Sequence, residues 1–490
     1  MLVENPVTIT HQELHMLGLK AKGQIKHLYL HWTAGYYGQA YSDYHINIDK
    51  DGEVYLTCHE LYQPKSHTFL RNKDGIGIAL CCGVGASFTG KNPQTIDFGE
   101  CPPTMMQIEK MAQVIAILAD ALELPIEFSA VATHAEVAHL FIAGFGVVGK
   151  ALVDIVAKNG AKIEARTGKR LHICGLSNSR RFVVDKAGLD ISKAASLLEN
   201  GENAADEAYF EKLATLSLEN SVFVDCTGSS DIAYKYMNLF KRGYSVVACN
   251  KITFSAPYKQ YAALKSAALE NGASLRYETT VGAALPILES ISRSVNSGDE
   301  ILRIEAVLSG TLNYIFSNYA GGEGGTFAEV VKRAQDAGYT EPDPRLDLSG
   351  RDVLRKLIIL SREAGVPLDE KDVEISPILG PEFFEGKVPA FYKMLEENEA
   401  LFAARYHEAA DKGLRQRFIA SLVKDETSPL GYKARIGLEA VDAGHPLFGL
   451  CGTDNSAIIK TEFYPSPLVI QGAGAGAYQT ASGVLNDILI

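Results

Sequence analysis

The segment that most restricts the fold of this chain is a glycine-rich turn between an apolar strand and a helix. Residues 139–144 form a short apolar run, HLFIAG, and residues 147–159 place apolar side chains on one helical face. Gly144 permits a tight turn, Gly146 lets a phosphate approach the backbone, and Gly149 lets helix and strand pack closely. The pattern also fits a plain structural turn, but after a strand it predicts a dinucleotide on the helix amino terminus. The predicted cofactor-binding residues here are Gly144, Phe145, Gly146, Val147, Val148 and Gly149.

The chain is long enough for several domains, and strands and helices alternate after the glycine turn. A single core stops growing at roughly 250–300 residues, whereas this chain has 490. The alternation predicts an α/β fold with a Rossmann-type, doubly wound parallel sheet. Closer strands from about residue 274 to 308 indicate a second, mixed sheet in an α+β domain, and the charged segment 380–435 is predicted to be helical. The predicted strands are 171–178, 222–227 and 244–250, and the predicted helices are 231–242, capped by Asp231, and 256–270.

Charge, hydropathy and cysteine usage exclude several classes of protein. The net charge of −12 argues against nucleic-acid binding, which needs a basic surface. No apolar run approaches the roughly 20 residues of a membrane span, and the first residues carry no secretory signal. The eight cysteines are scattered, as in a reduced protein. We therefore expect a cytoplasmic protein without nucleic-acid or membrane partners.

Residues 334–356 combine a turn rich in proline, glycine and carboxylates with a helix that carries Asp352 and Lys356. Residues four apart share a helix face, so this carboxylate and ammonium point toward the same space. The spacing alone fits an exposed ion pair. Beside so many carboxylates it predicts a site that holds a small zwitterion and moves one proton. An aldehyde that accepts hydride becomes an alkoxide, and a nearby lysine lowers that barrier.

The end of the second predicted strand bears on the choice of dinucleotide. It reads Ser177-Asn178-Ser179-Arg180-Arg181, without the carboxylate that binds the ribose hydroxyls of NAD. Hydroxyl and guanidinium groups suit a 2′-phosphate instead. The alternative is that the arginines are merely solvated. The segment therefore favours NADP(H) over NAD(H), with Ser179 and Arg180 as binding residues.

A series of segments after residue 138 keeps a characteristic order and spacing. They are FIAGFGVVGKAL, VDCTGSSDIA, Cys249-Asn250-Lys251, ETTVGAALPI, LSGTLNYIF, residues 334–356 and QGAGAGAYQTASGVLNDI. On these segments, nearly three quarters of the chain resembles homoserine dehydrogenase, particularly the dehydrogenase half of bifunctional aspartokinase–homoserine dehydrogenases. The resemblance implies interconversion of L-homoserine and L-aspartate 4-semialdehyde with NAD(P)(H), in amino-acid biosynthesis. It also implies a homodimer through the middle domain.

The resemblance implies a role for residues in each part of the site. Lys356 would supply the proton, Asp352 would orient it, and Lys251 would be a rival proton carrier beside the nicotinamide. Glu341 and Asp347 would bind the substrate ammonium. The other implied substrate-binding residues are Tyr339, Ser309, Gly310 and Thr311, and the other implied cofactor-binding residues are Thr227, Asn250, Lys251, Gly474 and Gly476. Leu346 departs from the family pattern, because relatives often carry an acidic residue there.

One loop resembles the family's monovalent-cation site. Na⁺ or K⁺ would be bound there by Glu278 with the carbonyl groups of Val281, Ala283 and Leu285. The alternative is an ordinary loop whose carbonyl groups coordinate nothing.

The resemblance also implies how the dehydrogenase part is divided. We expect a nucleotide-binding domain at 138–275, a substrate-binding, catalytic and dimerisation domain at 276–460, and a return to the nucleotide-binding domain at 461–490. No kinase or C-terminal regulatory domain is recognised in the sequence, so we expect no inhibition by threonine.

The N-terminal part has a different character, since nine of the twelve histidines precede residue 140. The segments HWTAG, YHINIDKDG, SHTFLRNKDGIGIA and THAEVA resemble zinc-dependent N-acetylmuramoyl-L-alanine amidases. The resemblance implies a small α/β domain at 1–137 in which His31 and His134 bind zinc. The third ligand of that family is missing, so we expect zinc to bind weakly. We interpret this part as a truncated module; the alternatives are an active peptidoglycan hydrolase and a muropeptide-recognition module.

Overall fold

The N-terminal part of the chain folds around a mixed sheet. The computed structural model describes residues 1–65, 74–88, 96–126, 130–133, 137–204, 207–216 and 220–490. The elements are β1 (Val7–Thr8), α1 (His11–Ala21), β2 (His27–Trp32), β3 (Ile46–Ile48), β4 (Val54–Leu56), β5 (Gly75–Leu80), β6 (Ser87–Phe88), β7 (Ile96–Asp97), α2 (Met105–Leu122) and β8 (Val131–Thr133). Within the described residues the main sheet has the order β1-β4-β3-β5-β2-β8. Both helices pack in one core with the sheet, because Leu14 of α1 and Leu118 of α2 share a cluster with Leu28.

A second, mostly parallel sheet begins with the apolar strand before the glycine turn. Its elements are β9 (Val137–Ala143), α3 (Val147–Thr167), β10 (Arg170–Ser177), β11 (Arg181–Val184), α4 (Ala194–Glu199), β12 (Glu202–Asn203), α5 (Ala208–Ala214), β13 (Ser221–Asp225), α6 (Ser230–Ala233), α7 (Tyr236–Phe240), β14 (Ser245–Ala248), α8 (Ile252–Ser255), α9 (Tyr258–Glu270) and β15 (Leu275–Arg276). Over the described residues the order is β12-β11-β10-β9-β13-β14-β15. The strands β10, β9, β13, β14 and β15 are parallel, and β11 and β12 extend the sheet antiparallel. The predicted doubly wound sheet is confirmed.

Two helix predictions in this sheet differ from the structure. The predicted helix 147–159 continues to Thr167, and Gly168 ends it in the left-handed conformation with a φ of +71°. The predicted helix 231–242 is two short helices, α6 and α7. Ser229 precedes the first of them and Asp231 lies in its first turn, so the prediction that Asp231 caps the helix was wrong.

The third sheet lies within residues 220–490, which are described without a gap. The remaining elements are α10 (Ile287–Asn296), β16 (Ile301–Val307), α11 (Gly310–Asn318), α12 (Phe327–Asp336), α13 (Arg345–Leu348), α14 (Arg351–Glu363), β17 (Val373–Ile375), α15 (Val388–Glu397), α16 (Glu399–Ala410), β18 (Arg415–Lys424), β19 (Tyr432–Val441), β20 (Asp454–Thr461), β21 (Leu468–Ala473) and α17 (Ala477–Leu489). The order is β17-β19-β18-β16-β20-β21. Only β17 and β19 pair in parallel, so the sheet is mixed as predicted.

The prediction that 380–435 is helical was wrong for its second half. Residues 415–424 form β18, in which Phe418 and Leu422 are buried on one face and Ile419 on the other. Arg417 is also buried, and its guanidinium donates to the carbonyl oxygens of Leu447, Phe448 and Leu450. Arg417 can therefore be buried in this strand because backbone carbonyl groups of a distant loop accept its N–H groups. The local sequence pattern does not reveal those partners.

The parallel sheet contacts the N-terminal domain at one edge, and helices connect it to the third sheet. At the amino-terminal edge, Nη1 of Arg170 lies 3.1 Å from Nε2 of His27 in the N-terminal domain. At the other end of the chain, α17 returns to the nucleotide-binding domain and packs on α3. The helix α14 contacts both α8 and β18, so it lies between the parallel sheet and the third sheet. None of the described helices is long and apolar enough to cross a membrane.

Candidate active site

The glycine turn and the turn after β13 lie side by side at the carboxyl edge of the parallel sheet. The chain winds in opposite directions on the two sides of β9, and ligands of such sheets bind in the crevice at this point. The closeness of the turns is visible at Gly144, where a β-carbon would lie 2.8 Å from the Cys226 carbonyl oxygen. The crevice is therefore the expected cofactor site.

The geometry of the glycine turn fits a pyrophosphate. Gly144 has a φ of +93°, and the N–H groups of Gly144 and Phe145 both donate to the Ser177 carbonyl at 2.9 Å. A β-carbon on Gly149 would overlap the Gly144 carbonyl oxygen, whereas one on Gly146 would meet open space. The first N–H groups of α3 have no acceptor inside the helix, so those of Val147 and Val148 can serve an anion.

The turn after β10 is organised by Asn178, which the sequence reasoning did not select. Its Oδ1 accepts the N–H groups of Arg180 and Arg181, each at 2.8 Å. The Arg181 guanidinium donates to the Gly201 carbonyl at 3.2 Å. Ser179 and Arg180 are exposed. Of the two arginines, Arg180 is thus the better candidate for an incoming phosphate.

Asp352 lies between the two candidate proton carriers. Its Oδ2 is 2.8 Å from Nζ of Lys356, and its Oδ1 is 3.5 Å from Nζ of Lys251. Lys356 is buried and donates to the Leu308 carbonyl at 2.6 Å. Lys251 follows β14 of the nucleotide-binding domain, whereas the other two residues belong to α14. The structure therefore brings the three predicted catalytic residues together across the domain boundary.

Burial and charge act in opposite directions on these groups. Burial lowers the pKa of Lys356 from its ordinary value, although the Asp352 carboxylate opposes that effect. Burial would raise the pKa of Asp352, but the ammonium groups of Lys356 and Lys251 outweigh it and lower that pKa below its usual range. The carboxylate therefore stays charged, and Lys356 releases its proton more easily than a solvated lysine.

The carboxylate-rich turn folds back on the start of α11. Asp347 accepts the Thr311 hydroxyl at 3.0 Å and the Glu341 N–H at 2.9 Å. The same hydroxyl proton is shared with the Tyr339 carbonyl. Burial raises the pKa of Asp347, and its hydrogen bonds to Glu341 and Thr311 oppose the rise. Glu341 and Tyr339 are exposed, and the partly buried Asp347 lies beside Glu341. The turn therefore presents two neighbouring carboxylates, those of Glu341 and Asp347.

Two other predicted substrate residues lie beside this turn. Ser309 and Gly310 connect β16 to α11, directly after the Leu308 carbonyl that receives Lys356. Leu346, the departure from the family pattern, is 61% exposed. Its side chain therefore takes no part in the packing around Asp347.

The segment after β21 connects the third sheet to the nucleotide-binding domain. Gly476 has a φ of +127° and precedes α17, and a β-carbon on Gly474 would overlap the side chain of Asn455. Both glycines are therefore required for the course of the backbone. They lie in the connection between β21, which ends at Ala473, and α17, which begins at Ala477.

The predicted cation loop is also a helix-capping structure. The Glu278 carboxylate accepts the N–H groups of Leu288 at 2.8 Å and Glu289 at 2.7 Å, at the start of α10. The Leu285 carbonyl accepts the Ile287 N–H at 2.8 Å. Val281 and Ala283 are buried, and Ala283 has a φ of +54°.

A cavity of about 200 Å³ lies between α8 and α14, and its lining includes none of Lys251, Asp352 and Lys356. It is lined by Ile252 and Ser255 of α8 and by Arg351 and Arg355 of α14.

Sequence reasoning did not identify Asp225, which ends β13. Its carboxylate is buried and hydrogen-bonds to both Thr227 and Asn250, two of the predicted cofactor-binding residues. Asn250 also donates to the Ser229 carbonyl at 2.8 Å. The available signal was a carboxylate at the end of an otherwise apolar strand.

Half of the predicted zinc site can be described. His31 lies in β2 with its ring 5.0 Å from that of Tyr44, whereas His134 lies outside the described residues. Among the described residues no group of three or more His, Cys, Asp or Glu side chains is arranged to hold a metal ion.

Three family profiles match the chain. The NAD-binding domain of homoserine dehydrogenase matches residues 144–278, and the homoserine dehydrogenase domain matches residues 286–489. The N-acetylmuramoyl-L-alanine amidase profile matches residues 21–144.

The curated relatives are longer, bifunctional proteins. The bifunctional aspartokinase/homoserine dehydrogenase 2 of Arabidopsis thaliana is 36% identical over 353 residues, which cover 71% of this chain and 38% of that protein. The bifunctional aspartokinase/homoserine dehydrogenase of Haemophilus influenzae is 34% identical over 357 residues, covering 72% and 43%. This chain thus spans less than half the length of these relatives.

Solved structures match the same part of the chain. A Candida auris protein of unknown function is 30% identical with a TM-score of 0.65, covering 72% of this chain and 97% of that one. The putative homoserine dehydrogenase of Archaeoglobus fulgidus is 26% identical with a TM-score of 0.57, covering 72% and 98%. A hyperthermophilic archaeal homoserine dehydrogenase in complex with NADPH shares the fold, at 24% identity and a TM-score of 0.55, covering 72% and 97%.

The Rossmann sheet and the glycine turn define a protein with an NAD-binding domain. Over residues 144–489 the chain belongs to the homoserine dehydrogenase family. The segment before it is similar to amidases.

Proposed function

We propose that this chain interconverts L-homoserine and L-aspartate 4-semialdehyde. The observation that carries the proposal is the Lys356–Asp352–Lys251 group, which spans the cleft between a Rossmann domain and a carboxylate-lined turn. A bound nicotinamide would supply or accept the hydride. The protein must then supply the proton for the oxygen that hydride transfer charges, and a buried lysine with a lowered pKa suits this task.

The residues of this site have separate proposed roles in proton transfer and in substrate binding. Lys356 would donate the proton, and Asp352 would keep its ammonium group aimed at the cleft. Lys251 is the rival proton carrier, since it faces the same carboxylate from the other domain. Asp347 and Glu341 would hold the substrate ammonium, supported by their position at the mouth of the site.

For the cofactor, we favour NADP(H) over NAD(H). The support is the exposed Arg180 and Ser179 at the end of β10, where an NAD site usually carries a carboxylate. The homoserine dehydrogenase bound to NADPH has the same fold.

We also propose a monovalent cation at the loop 281–285. The carbonyl groups of Val281, Ala283 and Leu285 remain the preferred ligands. The Glu278 carboxylate already accepts two helix N–H groups, so it has less capacity for an ion.

The direct test is homoserine-dependent reduction of NADP⁺, followed by absorbance. We expect turnover with homoserine and none without it. An absence of homoserine-dependent reduction with both NADP⁺ and NAD⁺ would contradict the proposal.

A second candidate function belongs to the N-terminal domain, because residues 21–144 match an amidase profile. The last part of that match is the strand β9, which the dehydrogenase sheet uses at its centre. We therefore keep the interpretation of a truncated module at 1–137. Zinc content and cleavage of a muramyl peptide test it, and we expect neither stoichiometric zinc nor cleavage.

We propose a homodimer in a reducing compartment, the cytoplasm. All eight cysteines are described and are free thiols, which supports the compartment. The dimer is supported by β21, an edge strand of the third sheet, and by the exposed Phe463, Tyr464 and Val469. The proposed domain limits remain 138–275, 276–460 and 461–490.

A further inference from the structure

The carboxylate of Asp225 is completely buried at the carboxyl end of β13, with 0% exposure. Its Oδ1 accepts the N–H and the hydroxyl of Thr227, both at 2.7 Å. Its Oδ2 accepts the Tyr236 hydroxyl at 2.5 Å and Nδ2 of Asn250 at 3.1 Å. A carboxylate offers about four acceptor positions. The four hydrogen bonds from these neutral donors therefore occupy all of them.

Two of these donor residues lie in different turns, whereas Tyr236 lies in α7. Thr227 lies in the turn after β13, and Asn250 lies in the turn after β14, the neighbouring parallel strand. The Thr227 hydroxyl in turn accepts the Ser229 N–H at 3.1 Å, and Oδ1 of Asn250 accepts the Ile252 N–H at 3.1 Å. One carboxylate therefore fixes the turns 226–229 and 250–252 relative to each other.

The turn 226–229 borders the crevice of the glycine turn, and the turn 250–252 follows the neighbouring strand at the same edge of the sheet. A β-carbon on Gly144 would lie 2.8 Å from Cγ2 of Thr227, which shows how closely the turn 226–229 approaches the dinucleotide turn. A buried carboxylate is costly, and an apolar side chain would fill the same space without that cost. Its value must therefore lie in the orientation of the donors that it holds.

We propose that Asp225 is a positioning residue for the dinucleotide: it holds the turns 226–229 and 250–252 in the conformation that receives the cofactor. The inference rests on the proposed function, since it requires a nicotinamide dinucleotide in this crevice. Asp225 contacts the turns and acts through them.

The test is the Asp225→Asn variant of the full chain. Asparagine keeps one oxygen for Thr227 but turns an amide N–H₂ toward the amide of Asn250, so two donors face each other. The loss of a hydrogen bond to a charged group corresponds to about tenfold or more in affinity. We expect the dissociation constant for NADPH, from fluorescence titration, and the KM for NADPH to rise by that factor, with kcat changed less than about threefold.

Tyr236→Phe is the matched control, because it removes a donor from the same carboxylate without altering either turn. We expect it to lower the thermal midpoint but to leave the NADPH dissociation constant within about threefold of wild type. An equal rise in both variants would mean that general packing, and not positioning, is disturbed. An unchanged constant in Asp225→Asn would overturn the inference directly.

Thr227→Val provides a second variant in case Asp225→Asn does not fold. It removes one donor to the carboxylate at nearly constant volume, and we expect a rise of several fold in the NADPH dissociation constant; no rise overturns the inference. A wild-type chain that binds neither NADPH nor NADH would contradict the proposed function, and the inference would fall with it. Binding by wild type with unchanged variants contradicts only the role of Asp225.

Discussion

At the scale of single residues, Asp352 lies within 3.5 Å of two ammonium groups that come from different domains. Lys356 has lost most of its water, because it is 9% exposed and bound to the Leu308 carbonyl. A buried ammonium is stable only beside an opposite charge. In the proposed role of Lys356 as an acid, the carboxylate would keep its ammonium group charged, while burial would make its proton easier to release.

Replacing Lys356 with alanine should reduce activity by about 10³ or more, in line with the loss of a general acid. We expect the affinity for NADPH to stay near normal, since the change leaves the glycine turn untouched. Steady-state kinetics and cofactor titration measure the two effects. Lys332→Ala, which removes an exposed lysine paired with Asp336, is the control and should change neither. A loss below about tenfold in Lys356→Ala would refute the role.

Substitution of the two charged neighbours of Lys356, Asp352 and Lys251, should shift the pH dependence of kcat/KM in opposite directions. In the reducing direction the acid must carry its proton, so the rate falls as the pH rises past the pKa of Lys356. Asp352→Asn removes a negative charge that raises this pKa, so the fall should begin at lower pH. Lys251→Ala removes a positive charge that lowers it, so the fall should begin at higher pH. Profiles of kcat/KM against pH test this, and shifts of the same sign would contradict it.

The two neighbouring arginines after β10 should differ in their effect on the cofactor. Arg180→Ala should raise the KM for NADPH by about tenfold, as expected for the loss of one charged hydrogen bond, and leave that for NADH nearly unchanged. Arg181→Ala is the matched control, because its guanidinium is already bound to the Gly201 carbonyl. Equal effects of the two substitutions, or a wild-type preference for NAD above tenfold, would count against an NADP site.

At the scale of elements, a carboxylate from the preceding loop caps the amino terminus of α10. Glu278 accepts its first N–H groups, and Asp487 of α17 accepts the Glu278 N–H at 3.0 Å. Burial raises the pKa of Glu278 to about 7 and that of Asp487 to about 6. Two acids that hold their protons unusually well thus join the loop, α10 and α17.

This junction should make stability depend on pH. The folded carboxyl groups bind protons more tightly than the unfolded ones, whose ordinary pKa values are 4.5 and 3.8. The free energy of unfolding that they contribute is therefore fully present below those values and lost as the pH rises to about 7. Between pH of about 5 and about 7.5, the thermal midpoint of wild type should fall by roughly 2–4 °C relative to Glu278→Gln.

The control for this experiment is Glu396→Gln, at an exposed position of α15, a helix that takes no part in this junction. It should follow the wild-type pH dependence. A constant difference between wild type and Glu278→Gln across the range would show that burial of Glu278 does not set the dependence.

At the scale of the whole molecule, the N-terminal domain and the active site lie at opposite edges of the parallel sheet. Arg170, at the amino end of β10, contacts His27, whereas the glycine turn follows the carboxyl end of β9. The third sheet has two edge strands, β17 and β21, and β21 lies beside the exposed Phe463, Tyr464 and Val469. We propose the β21 edge as the surface for a second copy of the chain.

The chain should sediment as a homodimer, and Val469→Lys should convert it toward monomer. Val469 is 48% exposed on β21, and a lysine placed in an apolar contact would be buried without a partner. Analytical ultracentrifugation measures the change. Val7→Lys, at a 67% exposed position in the N-terminal domain, should remain a dimer. A monomeric wild type, or a dimer unaffected by Val469→Lys, would contradict this interface.

Much of the fold and part of the site could be predicted from local pattern. Strands at 137–143, 170–177 and 221–225 were placed within a few residues, because buried parallel strands are continuous apolar runs. Asp352 and Lys356 were placed together by helical spacing alone. The strand 415–424 was missed because Arg417 finds its carbonyl partners about 30 residues later in the chain.

What the sequence determines by itself is the set of local structures: the glycine turn, the alternating strands and helices, and the ion pair one helical turn apart. These depend on backbone geometry and on periods of two or 3.6 residues, which neighbouring residues fully specify. Only the tertiary structure places Lys251 opposite Asp352 and closes four donors around Asp225. The contacts of Lys251 with Asp352 and of Asn250 with Asp225 join residues that are distant in sequence, and the burial that lowers the pKa of Lys356 exists only once the domains have packed.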